Sequence, residues 1–292
     1  MSIKNTNIEL KTKFFLFLES LIPPFMLYWA LDFFITVKYF LRILLFKRIK
    51  IDLPMKTSES AFLFATGPSL TNFNFSIINN SDCYSVSNFF LNDFAQSELL
   101  KGHFFAPFHS PLIESEYIEW LKKADSILHK DTKIYLSSDT KNLVNKNKIF
   151  LNRKVIYLEL EKGLVLGGIS PSRPILKPYT GPLMILPILI MMGYKNIYLC
   201  GCDHTVLRDY GKTVTNFYTE DKDIRSNATN KERWGSGIIH HLENMKKLIL
   251  QYRRYKKIAE KNSIKIYNLS SDSWLEEFEF LDNKSLIEQK IK

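Results

Sequence analysis

Short apolar runs separated by polar turns recur along most of this chain, and their period switches between that of a strand and that of a helix. Strand-like runs rich in β-branched and aromatic residues fall at 60–65, 83–88, 103–106, 133–137, 155–158, 196–200 and 264–269. Between them, residues 114–124 carry apolar positions at helical spacing, 182–192 form a continuous apolar run read as a helix opened by Pro182 and closed by Gly193, and a further helix is expected over about 239–261. This alternation predicts an α/β fold: a Rossmann-like, mainly parallel sheet with helices on both faces. A short helix or turn is expected between the first two strands. Gly102 is expected to precede the third strand and Pro107 to stop it, and 264–269 reads as the last strand.

The strongest apolar excess lies outside this pattern, at 14–46, and is followed at once by Lys47-Arg48-Ile49-Lys50. Glu19, Asp32, Lys38, Arg42 and the pair Pro23-Pro24 interrupt it, so no apolar run reaches the roughly 18 residues of a spanning helix. Acidic residues inside the run and the lack of a small-residue cleavage site also argue against a secretory signal. Phe25, Tyr28, Trp29, Phe33, Phe34, Tyr39 and Phe40, with the basic flank, suit an interfacial segment on an anionic leaflet. Packing on its own domain or on a second copy of the chain is the competing reading, which leaves a homo-oligomer open. The expected organisation is an apolar helical segment at 1–55 and one domain at 56–292, with a polar lid at about 205–237.

Composition narrows the class. The 292 residues are 46% apolar and 24% charged, as in a folded protein. The net charge of +10 is spread along the chain without a nucleic-acid motif, so nucleic acid is not the expected partner. An anionic membrane surface or an anionic substrate accounts for the charge. Cys83, Cys200 and Cys202 make an odd set without zinc or redox spacing, which fits a reducing cytoplasm. With the apolar, basic-flanked N-terminal segment, the expected location is the cytoplasm, peripheral to the inner membrane.

Candidate chemistry gathers at turns that follow apolar strands. In Thr66-Gly67-Pro68-Ser69, Gly67 permits close backbone approach, Pro68 suits the first turn of a helix and Ser69 adds a hydroxyl, as a phosphate site requires. Thr180 and Gly181, before the 182–192 helix, offer a second set of backbone donors. Asp203 and His204 lie just past a strand, where ligands of open parallel sheets bind, and a capping Asp with a backbone-satisfied His is the plainer alternative. His240 and His241 are adjacent on a helix and point about 100° apart, so one at most faces a given substrate. Asp221-Lys222-Asp223 matches the D-x-D of metal-dependent glycosyltransferases but lies in the polar lid, not at a strand end, and no metal site is expected.

Taken in order, Thr66-Gly67-Pro68-Ser69-Leu70, Ser87-Asn88, Tyr179-Thr180-Gly181, the 193–201 strand with Asp203, His240-His241, Ile264-Lys265-Ile266-Tyr267 and Asp272-Ser273 resemble the bacterial sialyltransferases of glycosyltransferase family 42. The resemblance covers roughly residues 60–280. It implies an inverting glycosyltransferase that moves a CMP-activated acidic sugar, sialic acid or a related 2-keto acid, to a surface glycan or glycolipid, without a metal or other cofactor. On that pattern Thr66, Gly67, Pro68, Ser69, Asn88, Thr180, Gly181, Asp203, His204, Asp272 and Ser273 belong to the nucleotide site. His241, with His240 as near equal, is the base, and Tyr210 and Tyr218 are the lid tyrosines beside the phosphate. The chain departs from the family at Ala106, at His204-Thr205 and at Lys177, positions that bear on which sugar is moved. A transferase using another nucleotide sugar and a non-catalytic glycan- or nucleotide-binding protein of the same fold are the alternatives.

Overall fold

The computed structural model describes residues 26, 33, 37, 51–79, 81–106, 114–161, 169–219, 222–223, 234, 237–270, 272–282 and 286. The chain divides into two units, Met1–Arg48 with Glu161–Gly168, and Ile49–Leu160 with Ile169–Lys292. In the first unit Met26, Phe33 and Val37 are helical and exposed; the rest of the apolar stretch and its basic flank lie outside the described residues. Among the described residues no helix is long and apolar enough to cross a membrane.

Among the described residues the strands are β1 (Ser60–Phe64), β2 (Asp82–Val86), β3 (Leu100–Phe104), β4 (Lys133–Ser137), β5 (Val155–Leu158), β6 (Leu160–Glu161), β7 (Ile175–Leu176), β8 (Asn196–Cys200), β9 (Lys265–Asn268) and β10 (Glu279–Phe280). Eight of them form one sheet in the order β10-β9-β8-β1-β2-β3-β4-β5, with every pairing parallel. The short β6 and β7 pair separately. The helices described along their length are α1 (Glu114–Ile127), α2 (Lys141–Lys146), α3 (Pro182–Met192) and α4 (Gly237–Lys261).

Side-chain alternation along each strand sorts the apolar residues into two cores. Ala61 and Leu63 of β1 face one core with Tyr84, Ile197 and Leu199, covered by α3 and α4. Phe62 and Phe64 face the other with Ile134, Leu136, Tyr117 and Trp120, covered by α1 and 3₁₀ turns. Nine of the eleven residues of α3 are buried, which explains a helix that is apolar on every side. The expected sheet with helices on both faces is the observed fold.

Three details differ from the sequence expectation. Gly102 lies inside β3, where a Cβ would meet the Tyr135 ring at 2.7 Å and the Tyr84 ring at 3.0 Å, so it serves aromatic packing over the strand and does not precede it. Pro68 opens a five-residue 3₁₀ turn (Pro68–Asn72), not an α-helix. The sheet continues past β9 to β10, whose two residues are exposed and show no apolar alternation. Pro107, expected to stop the third strand, lies outside the described residues.

Chain order runs outward from β1 through β5 on one side and returns to β8 on the other. Between β1 and β8 successive connections therefore diverge, and a crevice opens at their carboxyl ends. The 66–69 turn leaves β1 there, and residues 201–205 leave β8 beside it.

Candidate functional site

Asp203 organises this crevice from below. Only 4% exposed, its carboxylate accepts the Ser69 N–H at 2.9 Å and the Ser69 hydroxyl at 2.5 Å, while Ser270 Oγ lies 3.0 Å from Ser69 Oγ. The Gly67 N–H donates to the Gly201 carbonyl at 2.9 Å and the Leu70 N–H to the Gly67 carbonyl at 3.2 Å. With Pro68 carrying no N–H, the amides of residues 67–70 are all spent within the protein. This corrects the expectation that the turn, as a helix N-terminus, presents free amides to a phosphate.

Gly67 is required for a different reason. A Cβ there would overlap Asp203 Oδ2 and lie 2.6 Å from the Gly201 carbonyl oxygen, so the turn closes on the carboxylate only without a side chain. Gly201, at φ +67°, packs equally tightly: a Cβ would lie 2.7 Å from Leu70 Cγ.

Two cavities flank the turn. The first, of about 190 Å³, is lined by Thr66, Gly67, Ser87, Thr180, Gly181, Asp203, His204, Thr205, Thr215 and Asn216 among others. Its polar wall is made mainly of hydroxyls, with the amino end of α3 at Thr180 and Gly181. The second, of about 400 Å³, is bounded by Pro68, Ser69, Asn72, Phe73, Asp203, Thr205, Arg208 and Asp272 among others. Sequence reasoning misses Ser87, Thr205, Arg208, Thr215 and Asn216 as site residues; only the polar character of the lid hints at the last four.

His204 forms part of the first wall with φ +53°, and its Nε2 lies 2.9 Å from the Tyr252 hydroxyl on α4. Burial pushes its pKa down to about 4, against an upward pull from Asp203, so it is neutral near pH 7. Burial also raises the pKa of the neighbouring Cys202 thiol, which is not a ready nucleophile. Asn88 does not reach the cavity. It is 1% exposed, its Oδ1 accepts the Trp120 indole N–H, and its buried Nδ2 has no partner among the described residues. Ser87, beside it, lines the cavity instead, at φ +53°. Ser273 is likewise occupied: its hydroxyl donates to the Cys202 carbonyl at 2.8 Å and accepts the Leu275 N–H at 3.0 Å. Asp272 is exposed on the rim of the larger cavity.

His240 and His241 are well separated in environment. His240 is exposed, with Nε2 2.8 Å from Asn244 Nδ2. His241 is half-buried, with ring centroids 4.9 Å from Trp234 and 6.0 Å from Tyr210, and its buried Nε2 has no partner among the described residues. His241 does not line either cavity, but the same loop joins the two places: Val206 and Val214 line the smaller cavity, and Tyr210 between them touches His241. The Phe217 N–H donates to the Thr66 carbonyl at 3.3 Å, fastening this loop over the turn. Tyr218 donates to Asp223 Oδ2 at 3.2 Å. Asp221 lies outside the described residues, as do 220, 224–233, 235 and 236 of the lid. Among the described residues no cluster of three or more His, Cys, Asp or Glu side chains has the arrangement of a metal site.

No protein-family model matches the sequence, and no curated protein matches it. Solved structures similar to it include the sialyltransferase CstII from Campylobacter jejuni in complex with CMP-3FNeuAc, at a TM-score of 0.44 and 16% identity over 77% of this chain and 87% of that one. The same sialyltransferase in complex with cytidine-5'-monophosphate gives 0.41 and 17%, covering 79% and 86%. CST-II in complex with a trisaccharide acceptor and CMP gives 0.40 and 18%, covering 77% and 87%. Similarity at this level establishes neither a family nor an activity for this chain.

Proposed function

We propose that the chain is an inverting glycosyltransferase that moves a CMP-activated acidic 2-keto sugar to a surface glycan or glycolipid. The observation that carries this reading is the hydroxyl-lined cavity at the switch point between β1 and β8. It combines a turn braced by a buried carboxylate, the amino end of an eleven-residue helix and a docked polar loop. The motif resemblance supplies the substrate class.

In the proposed reaction the acceptor oxygen attacks the anomeric carbon and the bond to the CMP phosphate breaks. His241 Nε2 takes the proton from the acceptor hydroxyl, which suits a ring nitrogen that has no other partner among the described residues. The nucleotide lies across residues 66–69 between the two cavities. Hydroxyls of Thr66, Thr180, Thr205 and Thr215 receive its polar groups. Tyr210 and Tyr218 line neither cavity here, and in this reading the 205–237 lid brings them to the departing phosphate, with Tyr218 exchanging its bond to Asp223 for one to the phosphate. In this reading hydroxyl donors stabilise the charge that develops on the departing phosphate, and the proposed reaction uses no metal.

The test is thermal stabilisation of the full chain by CMP, CDP, UDP and GDP, each with and without Mn²⁺. A ligand at 100 times its Kd adds about 2.7 kcal/mol to native stability. A shift with CMP that does not need Mn²⁺, followed by turnover of a CMP-linked acidic sugar, is the expected result. A shift only with UDP or GDP plus Mn²⁺ would overturn the donor class, and CMP binding without turnover would leave a binding protein of the same fold.

A further inference from the structure

The outward face of α4 combines exposed apolar side chains with an excess of positive charge. Ile238, Ile239, Leu242 and Leu250 are 40%, 67%, 49% and 48% exposed, whereas Gln251, Tyr252, Tyr255 and Ala259 are buried against the sheet. At about 100° per residue the four exposed residues fall within one third of the helix circumference, together with Lys246 and Lys257. The helix carries seven basic residues against two acidic ones. Arg253 is bonded to Glu277 and Lys256 lies 4.0 Å from Glu260, but Lys246 and Lys257 form no ion pair among the described residues. An apolar stripe of this kind on a domain surface marks a contact site.

We propose that this face docks on an anionic phospholipid bilayer, with Ile238, Ile239, Leu242 and Leu250 entering the headgroup region and Lys246 and Lys257 meeting lipid phosphates. Charge selects this occupant. Lysine is depleted from the cores of protein interfaces, and a two-fold pairing of this face with its copy would bring like charges together. An anionic leaflet takes both the apolar stripe and the cations. A consequence rests on the proposed function: His241 shares a helical turn with Ile238, Ile239 and Leu242, so docking holds the proposed base next to the lipid surface and favours a lipid-linked acceptor.

The native cysteines are buried, so a single exposed thiol in the full chain can be labelled selectively. Ile239→Cys carrying a polarity-sensitive fluorophore is compared with Leu151→Cys, at a position that is 72% exposed and lies far along the sheet beside β5. With vesicles of mixed phosphatidylcholine and phosphatidylglycerol, the probe at 239 shifts to the blue and the probe at 151 does not. Lys246→Gln combined with Lys257→Gln weakens vesicle binding on the order of tenfold or more, since each basic residue near an anionic surface contributes about 1 kcal/mol. Co-sedimentation with an unshifted probe at 239 would assign membrane binding to another segment and overturn the proposal. So would an equal shift on pure phosphatidylcholine, or a concentration-dependent shift without vesicles, which marks self-association. CMP stabilisation reports on the nucleotide site separately, so either reading can fail alone.

Discussion

Ser69 gives both of its donors, backbone N–H and hydroxyl, to the carboxylate of Asp203, 134 residues further along the chain. This pair joins the turn after β1 to the segment after β8 and so sets the floor between both cavities. A buried hydrogen bond to a charged group contributes about 1.5–3 kcal/mol, and removing the acceptor leaves two donors unmet. Asp203→Ala is expected to lower stability by about 3 kcal/mol in urea denaturation and to abolish CMP stabilisation. Ser69→Ala, which deletes only the hydroxyl, is expected to cost less than half as much. Equal losses in the two variants would show that the carboxylate does not brace the turn.

Gly67→Ala tests the same junction from the other side. Both backbone oxygen and carboxylate lie within 2.6 Å of the added Cβ, and neither is the free end of a flexible chain, so residues 66–69 must move. Nucleotide affinity is expected to fall at least tenfold by calorimetry, as one displaced contact set worth about 1.4 kcal/mol implies. An unaltered Kd would place the nucleotide away from this turn.

These two residues also show what is legible in the sequence and what is hidden. Thr66-Gly67-Pro68-Ser69 stands out as a site because glycine and proline punctuate an apolar strand, and the same punctuation makes β4, β5, β8 and α3 legible to their ends. The direction of the turn's hydrogen bonds is not legible, because the partner that consumes them is remote in the chain. Asn88 misleads for a related reason: Trp120, from α1, takes its amide oxygen into the core, and no local pattern announces that pairing. Ser87, Thr205 and Thr215 carry no motif of their own and become wall residues only once the sheet order sets three segments around one cavity.

His103 governs the wall at Ser87. Fully buried on β3, its Nδ1 lies 2.7 Å from Ser85 Oγ and its Nε2 3.0 Å from the Ser87 carbonyl, so the neutral ring accepts from the Ser85 hydroxyl and donates to the carbonyl. Burial holds its pKa down to about 3, below the ordinary value of 6.5. The unfolded chain therefore binds a proton that the folded chain refuses: stability is full above about pH 6.5 and falls as pH drops toward 3. At pH 5 the cost is about 2 kcal/mol, at 1.36 kcal/mol per pH unit. His103→Gln is expected to flatten the dependence of denaturation free energy on pH between about 7 and 5. An unchanged slope would mean that His103 is protonated in the folded protein.

The two adjacent histidines make opposite predictions for turnover. His240 is exposed and engaged with Asn244, whereas His241 is held between Trp234 and Tyr210 with an Nε2 that no described residue partners. A positioned general base contributes about 10²–10⁴-fold in rate. His241→Ala is therefore expected to lower kcat for a CMP-linked acidic sugar by about that factor while CMP binding is retained, because the ring does not line the nucleotide cavities. His240→Ala is expected to leave kcat within about threefold, a difference of less than about 1 kcal/mol. The reverse ranking would transfer the role to His240 and require the first turn of α4 to rotate during the reaction, because the two side chains point about 100° apart.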